Sequence, residues 1–206
     1  MRRPGKIVCV GRNYIEHAKE LGNAVPQEPL LFLKPPSSVI FDGEPIVLPA
    51  MSRQVEHEGE IGVVIGKRLR QGDEVAARAA VAGITCVNDV TARDLQKADG
   101  QWTRAKGFDT FCPMGPALKP VDARFDFSSL DVVCRVNGVE RQRGRAADMV
   151  FGIPALLAFI SRVMTLEPGD LVATGTPAGV GPLVDGDLVE VEIPGVGVLR
   201  NPVRSR

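Results

Sequence analysis

The sequence predicts a mixed, β-rich α+β fold with peripheral helices. Most patterned segments are short and apolar, as expected of strands, and the few helical segments do not alternate with them regularly. This arrangement argues against a doubly wound α/β sheet. The 22 glycines and 16 prolines are spread through the chain, which is typical of many short elements joined by tight turns.

The predicted strands are runs of β-branched and aliphatic residues bounded by turn-forming residues. Asn137-Gly138 joins two of these runs and is a strong signal for a type I′ hairpin. In chain order, the predicted strands are 6–10, 30–34, 45–48, 60–66, 83–88, 130–136, 139–142, 170–174, 187–193 and 197–203.

Four segments have helical patterning. Tyr14, Ala18 and Leu21 share one face of the first, and Pro154 suits the first turn of the last. The predicted helices span 13–21, 74–81, 91–97 and 153–164. Long loops, which often carry function, are predicted at 22–29, 35–44 and 100–115.

Charge and composition argue against several classes of protein. The 25 basic residues cancel the 25 acidic ones, so bulk charge indicates neither nucleic acid nor an anionic membrane as a partner. No apolar run approaches transmembrane length, and the apolar run after the basic N-terminus is too short for a signal peptide. The four cysteines lack zinc-ligand spacing. We expect one cytoplasmic domain, residues 1–206.

Two carboxylates stand at the start of an apolar strand. Glu58 and Glu60 are two residues apart, so on a strand they converge on one face, while His57 faces away. Asp89 follows the next predicted strand, and three carboxylates would suit Mg²⁺ or Mn²⁺. The alternative interpretations are a solvated strand end for the glutamates and a helix N-cap for Asp89.

A histidine and a carboxylate form a second candidate group. His17 and Glu20 are i and i+3 on a predicted helix and are therefore neighbours. His17 shares the face of Tyr14 and Ala18, so we expect it to point inward. A histidine oriented by a carboxylate is the usual general base that activates water. The alternative is an ordinary pair on the surface of a helix.

Basic and amide side chains follow Asp89. Arg93 and Gln96 lie on one side of a short predicted helix, and Lys106 lies in a loop next to glycine. Near a metal, such groups bind a carboxylate or stabilise an enolate, and ordinary polar surface residues are the alternative. The glycine-rich segment 173–182 lets backbone amides approach an anion but lacks the Lys-Ser/Thr pair of a P-loop. A structural turn is the alternative there.

Several sequence blocks together resemble the fumarylacetoacetate hydrolase family, and the length is similar to its short, acylpyruvase-type members. The blocks occur in the order and spacing of the family, from about Lys6 to Val203. They are GRNYIEHAKE, LFLKPPSS, EHEGEIGVVIG, NDVTARDLQ, WTRAKGFDTFCP, the helix 153–164 and ATGTPAGVGP.

The resemblance implies a β-roll of mixed sheets, a homodimer and a site with three kinds of residue. It implies a divalent cation, Mg²⁺ or else Mn²⁺ or Ca²⁺, bound by Glu58, Glu60 and Asp89. It implies catalytic roles for His17, Glu20 and Lys106. It implies substrate-binding roles for Arg12, Lys34, Arg93, Gln96 and Thr176.

The implied function is a Mg²⁺-dependent hydrolase that cleaves a C–C bond in acylpyruvates or fumarylpyruvate, giving pyruvate and a carboxylic acid. His17 would deprotonate the attacking water, and the departing pyruvate would be an enolate. Because the same enolate serves other reactions, the alternative is an oxaloacetate decarboxylase or a 2-hydroxy-diene-dioate isomerase or decarboxylase. The non-enzyme alternative, a silent metal- or metabolite-binding protein, would have no use for His17 and Glu20.

Overall fold

Three sheets organise the described residues of the computed structural model, which are 2–20, 22 and 24–205. Parallel pairs join antiparallel pairs in the two larger sheets, so the predicted mixed, β-rich α+β fold is confirmed. The strands are β1 (Ile7–Gly11), β2 (Leu30–Lys34), β3 (Val39–Ile40), β4 (Ile46–Leu48), β5 (Val55–His57), β6 (Gly59–Ile65), β7 (Val81–Asn88), β8 (Thr91–Ala92), β9 (Cys112–Pro120), β10 (Asp131–Val136), β11 (Val139–Arg145), β12 (Leu171–Ala173), β13 (Gly181–Pro182), β14 (Leu188–Ile193) and β15 (Gly197–Ser205).

The largest sheet has seven strands in the order β2-β1-β12-β6-β7-β9-β3. It is buried on both faces, because alternate residues of its strands enter two different apolar clusters. In β1, Val8 and Val10 pack in one cluster, and Ile7 and Cys9 pack in the other. A five-stranded sheet, β11-β10-β14-β15-β4, and a three-stranded sheet, β13-β5-β8, complete the fold.

The helices are short and lie among the strands without regular alternation. Asp73 caps the second helix by accepting a hydrogen bond from the Ala76 N–H at 2.8 Å. Pro154 lies in the first turn of the last helix, as predicted. No helix in residues 2–20, 22 and 24–205 is long and apolar enough to cross a membrane. The helices are α1 (Ile15–Glu20), α2 (Glu74–Ala80), α3 (Arg93–Asp99), α4 (Thr103–Lys106) and α5 (Ile153–Val163).

The predicted type I′ hairpin is present between β10 and β11. Asn137 and Gly138 both have positive φ, 53° and 76°, which a type I′ turn requires. Val136 pairs directly with Val139, so the loop has two residues.

The long-loop prediction for residues 100–115 is wrong. This segment contains α4 and the beginning of β9, which pairs with β7 in the largest sheet. The sequence does not predict β9 because this strand contains Pro113, Gly115 and Pro116, and proline and glycine are depleted in strands. The helix predicted at 91–97 begins at Arg93, because β8 occupies the two residues before it. Leu21, which belongs to the first predicted helix, lies outside the described residues.

Candidate metal centre and active site

The ends of four adjacent strands meet at one edge of the seven-stranded sheet. Strand β1 is parallel to β12, and β6 is antiparallel to both β12 and β7. The carboxyl ends of β1, β12 and β7 therefore lie beside the amino end of β6. The side chains brought to this edge are Arg12 after β1, Thr176 after β12, Asp89 after β7 and Glu60 at the start of β6.

Glu58 lies at the junction of two sheets. It connects β5, which belongs to the three-stranded sheet, to β6 in the largest sheet, so the chain here forms two strands and not one. The Glu58 N–H donates to Asn88 Oδ1 at 2.9 Å, and the Asp89 N–H donates to the Glu58 carbonyl at 2.9 Å. These bonds fix Glu58 beside the end of β7.

The three predicted metal ligands form a buried cluster. One carboxylate oxygen from each of Glu58, Glu60 and Asp89 lies within 4.8 Å of the others. Asp89 does not cap α3, because Ala92 occupies the N-cap position and makes no side-chain bond there. Hard divalent cations prefer such all-oxygen ligand sets.

Cationic side chains neutralise two of the three carboxylates. Lys106 Nζ donates to Glu58 Oε2 at 2.7 Å and to Asp89 Oδ2 at 2.6 Å. Arg93 Nη2 donates to Glu58 Oε1 at 2.6 Å, and Lys34 Nζ donates to Asp89 Oδ1 at 2.5 Å. Burial raises the pKa of Glu58, but Lys106 and Arg93 more than offset it, so the pKa lies below the usual range for Glu.

Lys106 remains charged in this environment. Burial lowers the pKa of Lys106, but the carboxylates of Asp89 and Glu58 more than offset this effect and raise the pKa above its usual value. An ammonium has three donors, and these two carboxylates take two of them. Lys106 is therefore suited to stabilise negative charge and not to act as a general base.

Glu60 is the carboxylate without a cationic partner. Its Oε2 accepts the Gly175 N–H at 2.7 Å, and no basic side chain in the described residues forms an ion pair with it. Burial, followed by the charges of Asp89 and Glu58, raises the pKa of Glu60 well above its usual value. A divalent cation would supply the missing positive charge, so the donor set fits the metal that the sequence predicts.

His17 and Glu20 form a hydrogen-bonded pair at the end of α1. His17 is 4% exposed, and its Nδ1 lies 3.2 Å from Glu20 Oε2. Because a carboxylate only accepts, Nδ1 donates this bond, and in the neutral tautomer that this bond selects Nε2 keeps a lone pair. Glu20 Oε1 also accepts the Gly179 N–H at 3.0 Å, so the loop after β12 holds the pair in place.

We expect Gly179→Ala to lower both stability and turnover. Gly179 has a φ of +99°, and an added Cβ would lie 2.0 Å from the Arg141 carbonyl oxygen, so the loop that holds Glu20 must move. The strain costs about 1–3 kcal/mol in thermal unfolding, and kcat falls because Glu20 loses its anchor.

Gly186→Ala is the matched control for this substitution. Gly186 has a φ of +88°, but an added Cβ there meets nothing within 4 Å. We expect a smaller loss of stability and no change in kcat. Equal behaviour of the two variants in both measurements would contradict the anchoring role of the loop.

Gln142 is a site residue that the sequence does not reveal. Its Oε1 accepts the Gly59 N–H at 3.0 Å, and its Nε2 donates to the Pro177 carbonyl at 2.8 Å, which fixes the orientation of the amide. Nε2 also donates to Thr176 Oγ1 at 2.7 Å, so the Thr176 hydroxyl directs its own proton to the Gly59 carbonyl at 2.9 Å. Thr176 lines the cavity, and its hydroxyl can therefore only accept a further hydrogen bond, because its proton is already donated.

His57 also bonds to this amide and lies away from the metal ligands. Its Nδ1 is 3.0 Å from Gln142 Oε1, and because the amide oxygen only accepts, Nδ1 carries the proton. No signal in the sequence identifies Gln142, which is a single buried residue among the exposed residues Glu140, Arg141 and Arg143.

A solvent-accessible cavity opens above the carboxylates. Glu20 lies behind His17 and outside the cavity wall. Lys34 also lies outside the wall, contrary to its predicted contact with substrate. Its ammonium is fully buried between Asp89 and the Val90 carbonyl, so it supports Asp89 from below. The predicted site residues that line the cavity are Arg12, His17, Glu58, Glu60, Asp89, Arg93, Gln96, Lys106 and Thr176.

Relatives of this chain include proteins named for reactions of 2-oxo and 2-hydroxy acids. A mitochondrial oxaloacetate decarboxylase from Dictyostelium discoideum is 46% identical over 196 residues, which cover 93% of this chain and 89% of that protein. A mitochondrial oxaloacetate tautomerase from Bos taurus is 44% identical over 194 residues, which cover 92% of this chain and 87% of that protein.

The chain is also similar to solved structures. The structure of 5-carboxymethyl-2-hydroxymuconate delta-isomerase from Mycobacterium smegmatis is 45% identical, with a TM-score of 0.90 over 99% of this chain and 80% of its own. A family model described as fumarylacetoacetate (FAA) hydrolase C-terminal matches residues 6–204. This match covers nearly the whole chain, and the chain belongs to the fumarylacetoacetate hydrolase family.

Proposed function

We propose that this protein is a divalent-metal-dependent enzyme that converts 2-oxo acids through an enolate, with oxaloacetate as the representative substrate. The reaction that fits best is interconversion of the enol and keto forms through the enolate of oxaloacetate, with decarboxylation of the keto form, which releases CO₂ and leaves the enolate of pyruvate, as a second reaction at the same site. The observation that carries the proposal is Glu60, a buried carboxylate with no cationic partner in the part of the chain that the structure describes, beside two other carboxylates at the base of a cavity. The names of the relatives support this reaction class.

A divalent cation bound by the three carboxylates would supply Lewis-acid stabilisation to negative charge on the substrate. Lys106 keeps one N–H beyond those given to Glu58 and Asp89, and this donor is available to an oxygen of the enolate. Arg93 is held by Glu56 Oε2 at 2.7 Å from its Nε and by Gln96 Oε1 at 2.5 Å from its Nη1. These two bonds fix the guanidinium in the cavity wall and do not use its remaining N–H donors.

His17 is the candidate for the proton transfer that tautomerisation requires. The proton leaves the enol oxygen and another is delivered to C3, while the electron pair of the C–C double bond forms the new C–H bond. Nε2 of His17 has a free lone pair, and His17 lines the cavity. Glu20 stabilises the imidazolium that forms while the proton is held.

Hydrolysis of acylpyruvates is the second candidate. It is favoured by one observation, the His17–Glu20 pair, because such a pair also activates water. The named relatives support the enol–keto and decarboxylation reactions more directly, so the hydrolase that the sequence favours takes second place.

A product assay distinguishes these reactions. The protein is incubated in the presence of Mg²⁺ with enol-oxaloacetate, keto-oxaloacetate or acetylpyruvate, in three separate reactions. Proton NMR identifies the products of each reaction. We expect accelerated loss of the enol form, and pyruvate from oxaloacetate if decarboxylation follows. Acetate from acetylpyruvate as the fastest reaction would assign the protein to the hydrolases, and no turnover of any of the three acids would contradict the proposal.

The predicted homodimer, the 2-oxo acid partner and the choice among Mg²⁺, Mn²⁺ and Ca²⁺ stay predictions. Light scattering tests the first, and comparison of the three cations in the same assay tests the last.

A further inference from the structure

The pairing of β12 with β6 changes in character as the two segments approach the cavity. The regular ladder between these strands ends at Ala173. Further along, side chains join the segments: the Gly175 N–H donates to Glu60 Oε2 at 2.7 Å, and the Thr176 hydroxyl donates to the Gly59 carbonyl at 2.9 Å. Side-chain bonds therefore replace the backbone ladder at the level of the carboxylate cluster.

The Gln142 amide bridges the two segments at this point. Gln142 is 1% exposed and belongs to β11, so it enters from the five-stranded sheet. Its Oε1 accepts the Gly59 N–H at 3.0 Å, and its Nε2 donates to the Pro177 carbonyl at 2.8 Å. Because a side-chain amide has the same donor and acceptor groups as a peptide, Gln142 takes the place of a backbone bond between the two segments.

The same amide fixes the Thr176 side chain. Nε2 also donates to Thr176 Oγ1 at 2.7 Å, and His57 Nδ1 takes the second acceptor position on Oε1 at 3.0 Å. Both donors and both acceptor positions of the amide are thus used, so the amide cannot turn without breaking buried hydrogen bonds. Thr176 lines the cavity and Gln142 does not, so the shortest route from Gln142 to a bound substrate runs through Thr176.

We propose that Gln142 is a positioning residue for the reaction. It holds the Thr176 hydroxyl at a fixed place beside the segment between two of the metal ligands, and it thereby sets where the substrate binds relative to the metal. This inference rests on the proposed function, which places a divalent cation and a 2-oxo acid in this cavity. It adds to that function a residue that lies outside the cavity wall.

Steady-state kinetics of Gln142→Met, Thr176→Val and the double variant test the inference, with enol-oxaloacetate as substrate and saturating Mg²⁺. Each single substitution should raise KM about 3–10-fold, the typical contribution of a hydrogen bond. The double variant should show no further rise, because Gln142 acts through Thr176. KM is the deciding measurement, since unfolded protein lowers the apparent kcat but leaves KM unchanged.

Asn201→Leu is the matched control. Asn201 is also a buried amide, and its Nδ2 donates to the carbonyls of Phe41 and Glu44 at 2.9 and 2.8 Å, but it does not line the cavity. This substitution should lower the melting temperature, as Gln142→Met does, and leave KM unchanged. If Gln142→Met does not fold, Gln142→Glu replaces it, because a carboxylate keeps the acceptor and loses both N–H donors.

Three results would overturn the inference. They are a wild-type KM in the Gln142 variant, a rise in the double variant equal to the product of the two single rises, and an equal rise in Asn201→Leu. If the wild type converts acetylpyruvate and not enol-oxaloacetate, the proposed function alone fails, and the same comparison is made with acetylpyruvate. If the wild type converts neither acid, the proposed function fails and this inference fails with it.

Discussion

Replacement of Glu60 by glutamine is expected to abolish turnover and, in the metal-free protein, to raise the melting temperature. Turnover falls by about 10³-fold or more, since Lewis-acid stabilisation is worth several kcal/mol and each 1.36 kcal/mol is tenfold in rate. Stability rises because Glu60 is buried beside Asp89 and Glu58 and forms no ion pair with any of the described residues. A gain of about 1 kcal/mol corresponds to about 2–4 °C for a chain of this size.

The measurements are calorimetry with Mg²⁺ and thermal unfolding in EDTA. Glu56→Gln is the contrasting variant, because Glu56 is a buried carboxylate paired with Arg93. Loss of the Glu56 charge leaves the buried Arg93 with Glu58, which Lys106 also engages, as its remaining carboxylate partner, so the melting temperature should fall. A Glu60→Gln protein that still binds Mg²⁺ tightly would show that Glu60 is not a metal ligand, and one that melts below the wild type in EDTA would show that the Glu60 carboxylate does not destabilise the metal-free protein.

Replacement of His17 by alanine is expected to lower kcat by about 10²–10⁴-fold, the usual contribution of a general acid–base group. Mg²⁺ affinity should be retained, because His17 lies outside the cluster of three carboxylates. Glu20→Gln should have a smaller effect, since it keeps an acceptor for His17 Nδ1 but removes the charge that stabilises the imidazolium.

Glu16→Gln is the control for both substitutions. Glu16 lies on the same helix, is exposed and pairs with Lys19. Steady-state kinetics with enol-oxaloacetate should therefore show no change in this variant. Full activity in His17→Ala would show that the His17–Glu20 pair takes no part in the mechanism. Catalysis would then depend on the charged groups at the base of the cavity.

Local sequence patterns predicted the elements that build the site. Strands β1, β6, β7 and β12 are buried apolar runs, which periodicity identifies, and the candidate ligands stand at their ends. The spacing of Glu58 and Glu60 correctly predicted that their carboxylates lie close together. The cause differs from the predicted one, because Glu58 lies at a junction between two sheets and not on one continuous strand with Glu60.

Long-range contacts account for what local patterns missed. Lys34 reaches Asp89 across 55 residues and Gln142 reaches His57 across 85, and no local pattern encodes either contact. Strand β9 was missed because its prolines and glycine contradict strand propensity, yet its pairing with β7 overrides that preference. Contacts between distant segments therefore account both for strand β9 and for the position of Lys34 beneath Asp89.

The most direct test of the central claim is the rate of enol-oxaloacetate conversion as metal is removed and returned. The protein is stripped with EDTA, exchanged into metal-free buffer and titrated with Mg²⁺ while the loss of enol absorbance is followed. We expect activity to be absent after stripping and to return in full with one ion per chain. Undiminished activity in excess EDTA would contradict the metal dependence.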